Sequence, residues 1–339
     1  MSFFNKRSTT RRSLVEWLSV VLALLALGAY TGYSLFKDRT RIEVQEHERL
    51  ASQTKLLGEN LARQLMATNL ALESVLREAP VWRKQKNGAK QAIQHLQALA
   101  DAMPGVSTML LLDAKGTVIA SDKRQLIGRN FSQREYFQDA IQNPNPAILY
   151  VSPPFITALD HFTMNLSRMV PGRDGRFDGL VVAGLEADYF KLQLNSAIYS
   201  EDMRASVIHG NGKLFMSVPR GEDFVGLDLS KSGSFFPAHL KSGQELNVYT
   251  GNSPALGGYR MVAMLTIPEA GLPMSRPLVI ALGRDLKAIF AAWQVDAIKT
   301  GGVVEIASLL ALLSLYFYQK RRHINESNAT KWEAVPKHG

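Results

Sequence analysis

The chain has 339 residues, 46% of them hydrophobic, with a formal charge of +9 and no cysteine. That length can bury a sizeable core and allows two or three domains. The lack of cysteine excludes disulfide scaffolds, thiolate metal sites and cysteine nucleophiles, and it suits a bacterial periplasmic domain large enough to need no covalent staples.

Two apolar segments bracket the chain. Residues 17–36, "WLSVVLALLALGAYTGYSLF", carry no charge, and residues 300–318, "TGGVVEIASLLALLSLYFY", carry only Glu305. Both read as membrane spans. The first is too long, and its far end "KDRTR" too basic, for a cleaved signal peptide, so an uncleaved signal anchor fits. Residues 1–13 hold Lys6, Arg7, Arg11 and Arg12 with no acid, and residues 320–339 hold Lys320, Arg321, Arg322, Lys331 and Lys337 against Glu326 and Glu333. Cations on both tails place both termini in the cytoplasm and residues 37–299 in the periplasm, as in a two-pass protein of the bacterial inner membrane. Outside the tails and spans, 30 basic residues face 26 acidic ones, a balance of +4. The remaining excess sits beside the membrane, where positive-inside topology and anionic lipid account for it, so nucleic acid is not an expected partner. Gly28 and Gly32 form a Gly-x-x-x-Gly, a weak dimer signal by itself, and Glu305 stands where it can snorkel to the outer interface.

Residues 38–78 contain no proline and one glycine, and Leu50, Leu57, Leu61, Leu65, Leu72 and Leu76 recur at near-helical spacing. This predicts one long helix leaving the membrane, its stripe packed on its own domain, on a second copy of the chain, or on both along its length. A second helix is expected at 88–101, before Pro104 and Gly105. A hairpin signature follows, "TMLLLDAKGTVIASD", two apolar strands around an Asp-x-x-Gly turn.

That signature recurs. "LLLDAKGTVIAS" at 110–121 matches "SVIHGNGKLFMS" at 206–217, and "IGRNFS" at 127–132 matches "VGLDLS" at 225–230. Expected strands at 147–152, 162–170 and 178–185 are echoed at 245–250, 258–266 and 276–283, each set ending in a helix, "EADYFKLQLNSAI" and "GRDLKAIFAAWQV". A period near a hundred residues is far above that of solenoids and indicates two copies of one α+β domain. The chain therefore divides into a tail at 1–13, a span at 14–36, a long helix with its connecting helix at 37–104, a membrane-distal module at 105–200, a membrane-proximal module at 201–299, a span at 300–319 and a tail at 320–339.

Between the first hairpin and its next strand lies "IGRNFSQREYFQDAIQ". Ser132 reads as an N-cap, Glu135 as its capping-box partner, and Phe131 as a staple onto Tyr136. Arg134 is out of place there, because a helix N-terminus disfavours a cation by a few tenths to about 1 kcal/mol. Either an anion held between the guanidinium and free backbone N–H groups offsets that cost, or Arg134 pairs with an acid such as Glu135 or Asp139 while the aromatics fill the core.

The layout of span, long helix, two PAS-like α+β modules and returning span resembles the double Cache (PDC-type) sensor domains of bacterial receptors. "GRNFSQREYFQDA" resembles that family's Gly-x-x-x-Ser-x-Arg-x-aromatic-aromatic-x-x-Ala signature in Gly128, Ser132, Arg134, Tyr136, Phe137 and Ala140. "FTMNLSRMV" and "GRFDGLVVAGLEADYF" are similar to the next strands and helix of Cache domains that precede diguanylate cyclases, and sensor histidine kinases have related stretches. The resemblance covers about residues 14–322. It implies a pocket in the distal module holding a small molecule, often by its carboxylate, with Arg134, Tyr136 and Phe137 in its wall. Tyr150, Ser152 and Arg168 on the following strands are expected to complete it. Glu186 falls where amino-acid-binding members carry an aspartate for the ligand's ammonium group, with Asp188 nearby. This sequence departs from those members in Glu186 for aspartate, Tyr136 for tryptophan and Arg129 for tyrosine, so a carboxylate or other anion is the broader expectation. Arg168 also reads as a surface ion pair.

Asp160 and His161 in "TALDHF" lack the third ligand or nucleophile that metal or acid–base catalysis requires and read as a solvated hairpin tip. No nucleophile elbow, Walker loop, His-Glu-x-x-His or paired carboxylates occur, and "HGNGK" at 209–213 lies in a hairpin without dinucleotide-binding spacing. No enzyme, metal or cofactor is expected, and the proximal module, with "VGLDLSKSGSFF" in place of the Arg and aromatic pair, reads as a ligand-free spacer. The twenty residues after the second span are too few for a kinase or cyclase. Three readings stand at this point: a sensory subunit, probed by a carboxylate or amino-acid-like ligand and signalling as a homodimer to a separate cytoplasmic or membrane partner; the input half of a cyclase or kinase receptor; and a scaffold that binds no small molecule.

Overall fold

A computed structural model describes residues 3–219, 226–231, 233–253, 258–268 and 272–333, with side chains described from Arg12 to Asn325. Val225, the first residue of the repeated "VGLDLS", and the chain ends at 1–2 and 334–339 lie outside the described residues. The chain divides into two compact units, one made of Met1–Gln45 with Ala288–Gly339 and the other of Glu46–Lys287.

The first unit is a pair of helical segments. α1 (Phe3–Trp82) and α6 (Leu286–Glu333) are both long and apolar enough to cross a membrane. Their apolar side chains are exposed, as a lipid-facing surface requires, Leu18, Leu22 and Leu25 on one and Leu309, Leu310 and Leu313 on the other. Polar contacts tie the pair near both ends of its apolar stretch. At one end Trp293 Nε1 donates to the Leu35 carbonyl at 3.0 Å, and the Arg39 guanidinium lies over the Phe290 and Trp293 rings. At the other, Ser13 and Trp17 both donate to Gln319 Oε1 at 2.9 Å, and Arg322 bonds Glu16 at 3.2 Å. A Cβ placed on Gly28 or Gly32 would meet nothing within 4 Å, so the Gly-x-x-x-Gly takes no part in this pairing.

In the second unit, α1 lays its leucine stripe on its own domain. Leu50, Leu57, Leu61, Leu65 and Leu72 are 0–3% exposed, and Leu76 is half-buried. Of the two expected uses of the stripe, packing within the chain is thus the one seen from Leu50 to Leu72. Gly58 lets the helix settle on β11 (Tyr259–Thr266): a Cβ there would lie 2.0 Å from Leu265 Cδ2 and would force that buried side chain to shift. α2 (Gly88–Ala102) follows, ending before Pro104 as expected.

Two five-stranded antiparallel sheets share one topology. The first orders β1 (Val106–Asp113), β2 (Val118–Ser121), β3 (Tyr150–Val151), β6 (Asn165–Pro171) and β7 (Phe177–Leu185) as β2-β1-β7-β6-β3. The second orders β8 (Arg204–His209), β9 (Leu214–Val218), β10 (Leu246–Asn252), β11 and β12 (Leu278–Asp285) as β9-β8-β12-β11-β10, the same arrangement. The duplication extends to single atoms. Each first hairpin carries a bulge, between Leu111 and Leu112 and between Val207 and Ile208. Each hairpin turn has a left-handed glycine, Gly116 at φ 80° and Gly212 at φ 89°, whose missing Cβ would lie 2.7 Å from the backbone nitrogen of Ser132 or Ser230. Those serines are held alike, Ser132 by Asn130 Oδ1 and Ser230 by Asp228 Oδ1. The fold is α+β with two tandem sheet modules on one long helix.

The modules are stitched along one strand. Leu149 N–H donates to the Pro273 carbonyl and the Leu149 carbonyl accepts from Ser275 N–H, both at 2.9 Å, and Val151 N–H donates to Ser275 Oγ at 3.0 Å. His209, 1% exposed, accepts the Asn211 N–H at Nδ1, which leaves Nε2 to donate to the Val151 carbonyl at 3.2 Å. At the end of β12, Arg284 bonds Glu46 on α1 at 3.1 Å and Asp202 at 2.9 Å, and the Tyr199 hydroxyl also donates to Glu46. Burial alone would raise the Asp202 carboxyl, but hydrogen bonds from Arg284 and Ser200 outweigh it and hold the group below its ordinary range.

Candidate functional site

The helix expected to open at Ser132 opens later. α3 spans Glu135–Gln142, with Arg134 itself at the N-cap position in extended conformation (φ −76°, ψ 139°). Ser132 is taken up by Asn130, and its carbonyl accepts from Gln138 Nε2, so it belongs to the turn lock and not to the helix. The consequence is a correction to the reasoning for Arg134: its side chain leaves from the extended residue before the first turn. It forms no ion pair among the described residues with Glu135, Asp139 or any other acid. Its guanidinium instead lies 5.5 Å from the Phe155 ring centre and donates to the Ile156 carbonyl at 3.3 Å.

Phe155 belongs to a small separate hairpin, β4 (Phe155–Ile156) and β5 (Phe162–Thr163), that projects between β3 and β6. Its tip is closed by the Thr157–His161 turn, with Asp160 left-handed at φ 61°. Among the described residues no three His, Asp or Glu side chains gather as metal ligands would. The hairpin overhangs a cleft of about 720 Å³ bounded by β1, α3 and the start of α4 (Ala187–Ser196). A cleft of that size falls in the range used for small-molecule ligands.

Four of the sequence-derived site residues meet there: Arg134, Tyr136, Glu186 and Asp188. Tyr136 is 5% exposed and stacks on Phe155 with ring centres 5.7 Å apart, while its hydroxyl makes no hydrogen bond to a described residue. Burial pushes that hydroxyl well above its ordinary range, against the pull of Arg134. Glu186 occupies the N-cap of α4 without using its side chain as a cap, and its carboxylate has no hydrogen-bond or ion-pair partner among the described residues. Asp188 is exposed and engaged with Lys191 at 2.9 Å.

The other four are elsewhere. Phe137 is 1% exposed in the distal core, edge-on to Phe177. Tyr150 and Ser152 line a second cleft of about 250 Å³ beside the module junction, to which Tyr136 also contributes. The Tyr150 hydroxyl there is held by the Asn143 carbonyl and the Asn145 N–H, and Ser152 Oγ by the Asn165 N–H and the Pro153 carbonyl. Arg168 is neither a cleft cation nor a surface ion pair. It is 7% exposed and reaches α1, where it bonds Asn69 Oδ1 at 2.8 Å and Glu73, and it donates to the Pro146 carbonyl at 2.8 Å.

Sequence reasoning passed over two groups in the main cleft. Asn165 lines it at 5% exposure, and its side-chain amide has no partner among the described residues. Alternation along β6 is the signal that finds it, because Asn165 and Met169 share a face and Arg168 takes the other. Lys123, paired with Asp122 at 3.2 Å, is the second. The cleft thus offers a guanidinium, a carboxylate, an amide and a phenol, none of them hydrogen-bonded or ion-paired to another side chain among the described residues and all suited to a small ligand with charged ends.

No family model matches the chain, and no curated protein matches it. Solved structures do. The extracellular domain of a candidate histidine kinase, rpHK1S-Z16, aligns with a TM-score of 0.64 at 21% identity, over 74% of this chain and 98% of that one. The periplasmic sensory domain of the Campylobacter jejuni chemoreceptor Tlp1 aligns with a TM-score of 0.59 at 12% identity, over 74% and 98%. The fold is that of the double Cache-type sensory domains the sequence resembles. A third structure of this fold, the ligand-binding domain of the Pseudomonas fluorescens chemoreceptor CtaA in complex with L-isoleucine, aligns with a TM-score of 0.55 at 18% identity, over 76% of this chain and 99% of that one. These neighbours are the extracellular domain of a candidate histidine kinase and the sensory and ligand-binding domains of chemoreceptors.

Proposed function

We propose that this chain is a two-pass sensor of the bacterial inner membrane, with both termini cytoplasmic, whose periplasmic distal module binds a small carboxylate or amino-acid-like ligand. The observation that carries the reading is the cleft that holds Arg134 and Glu186 without an ion-pair partner for either among the described residues. Leaving opposite charges half-buried and unpaired costs stability, and a ligand carrying an anionic end, or an anionic and a cationic end, offsets that cost when it binds. A chemoreceptor domain of this fold was solved with L-isoleucine, which has both ends.

Transmission follows from continuity. α1 carries both a span and the helix on which the modules pack, and β12 runs at Asp285 into α6. Ligand closure is read as a shift in these two connections, passed within a homodimer to a separate cytoplasmic or membrane partner. The domain limits given by the sequence, 105–200 distal and 201–299 proximal, are retained in this reading.

The test is a thermal-shift screen of the full chain in lipid nanodiscs against carboxylates, amino acids and other small anions, repeated with Arg134→Ala. A ligand at a hundred times its Kd should stabilise by about 2.7 kcal/mol, a rise of several degrees, and the variant should lose that response while staying folded. A broad screen that moves nothing would favour a scaffold that binds no small molecule.

A further inference from the structure

The main cleft is not closed by the distal module alone. Phe215 and Met216 in its lining come from β9, the edge strand of the proximal sheet. Phe215 is the extra residue at the β9 bulge, lies outside the proximal core cluster that holds Leu214, and is 0% exposed because distal side chains cover it. Phe162, on the overhanging hairpin, stacks on it with ring centres 5.9 Å apart, and Phe190 of α4 meets it edge-on at 6.0 Å. The hairpin therefore stands on two aromatic feet, Phe155 on Tyr136 of the distal module and Phe162 on Phe215 of the proximal one. The same cleft is lined by the charged groups Arg134 and Glu186 and by the apolar side chains of Leu110, Leu185, Phe162, Phe215 and Met216.

Resting on the reading of the cleft as a ligand site, we infer that the ligand is an amphiphile: a small carboxylate or amino acid whose head sits with Arg134 and whose apolar tail lies along Phe162 and the β9 residues Phe215 and Met216. The proximal module is then part of the binding site and reads the ligand by contact. Phe162 and Phe215 set specificity for tail length, and a short polar anion binds without engaging them.

The experiment is calorimetric titration of the full chain in nanodiscs with acetate, butanoate and hexanoate, and with glycine, 2-aminobutanoate and norleucine. In the wild type, affinity should rise with each buried methylene by up to about fourfold in at least one series. Phe162→Ala, at a half-buried position, and the volume-sparing Phe215→Leu should each lower the six-carbon to two-carbon affinity ratio at least fivefold. Arg134→Ala should weaken every member of the responding series alike and leave that ratio in place. A wild-type series that binds with no dependence on tail length, or a ratio untouched by both aromatic variants, overturns the amphiphile inference and leaves the ligand site standing. Binding by no member of either series overturns both.

Discussion

The two modules share strand order, hairpin bulge, turn glycine and serine lock, and the distal one adds a hairpin that overhangs a cleft. The difference begins right after the lock. In the distal module Ser132 leads to Arg134 and Tyr136, and the link between β3 and β6 is long enough, at 152–164, to carry β4 and β5. In the proximal module Ser230 leads to Phe235 and Phe236, and the link between β10 and β11 is short, at 253–258. There Phe235 stacks on Tyr249 at 5.4 Å, nearly parallel, and the rings join the module's own core. One scaffold thus carries two different elaborations, and what separates them among the described residues is a helix start and one loop length.

Substitutions can break that comparison. The largest expected effect is at Arg168, which ties the distal sheet to α1 and has no counterpart role in the ligand cleft. Arg168→Ala leaves Glu73 and the Pro146 carbonyl without their partner, and it should cost about 2–3 kcal/mol, below the full cost of breaking a buried pair because Glu73 is partly exposed. Thermal unfolding of the full chain checks this, and ligand affinity should survive in the folded fraction.

The shared lock gives the next effect. Gly116→Ala and Gly212→Ala each force a left-handed residue with a Cβ against the lock serine, at about 1–3 kcal/mol apiece. Equal losses of melting temperature would show that the two locks are equivalent in energy as in geometry. A much smaller loss at Gly212 would mean that the proximal copy has relaxed.

The smallest effects are in pH. Burial holds His209 below its ordinary range, with Arg276 adding to that and the Asn211, Val151 and Glu135 contacts opposing it. A depressed folded value means that His209 contributes stability above about pH 6.5, which is lost as the pH falls toward the folded value. His239 is shifted the same way by burial. Melting temperature should therefore fall in mild acid, and His209→Gln should flatten part of the fall. Asp202 behaves likewise at lower pH: the Arg284 anchor should hold until the pH drops below about 4 and then weaken.

Much of the fold was legible because it is written locally and twice. The leucines from Leu50 to Leu72 gave the helix, and the repeated hairpin with its turn glycine gave the duplication. The site was legible only in part. Arg134, Tyr136 and Glu186 stand out by position in a motif, but Tyr150 and Arg168 were assigned to the cleft without asking which face of their strands they occupy, and alternation sends Arg168 to α1. Asn165 is ordinary in the sequence and stands out only because its buried side-chain amide has no partner among the described residues. Phe215 was out of reach, because a contact with Phe162 across the module boundary leaves no local trace.

The central claim is that the ligand sits in the cleft of Arg134 and Glu186, and not in the proximal module's own core. It is tested most directly by the binding stoichiometry of the full chain in nanodiscs, measured calorimetrically with the best carboxylate or amino acid from the screen. The account predicts one ligand per chain, with binding much weakened in Arg134→Ala and unchanged in Phe235→Ala. Binding that persists unchanged in Arg134→Ala, or that disappears only in the proximal variant, would contradict it.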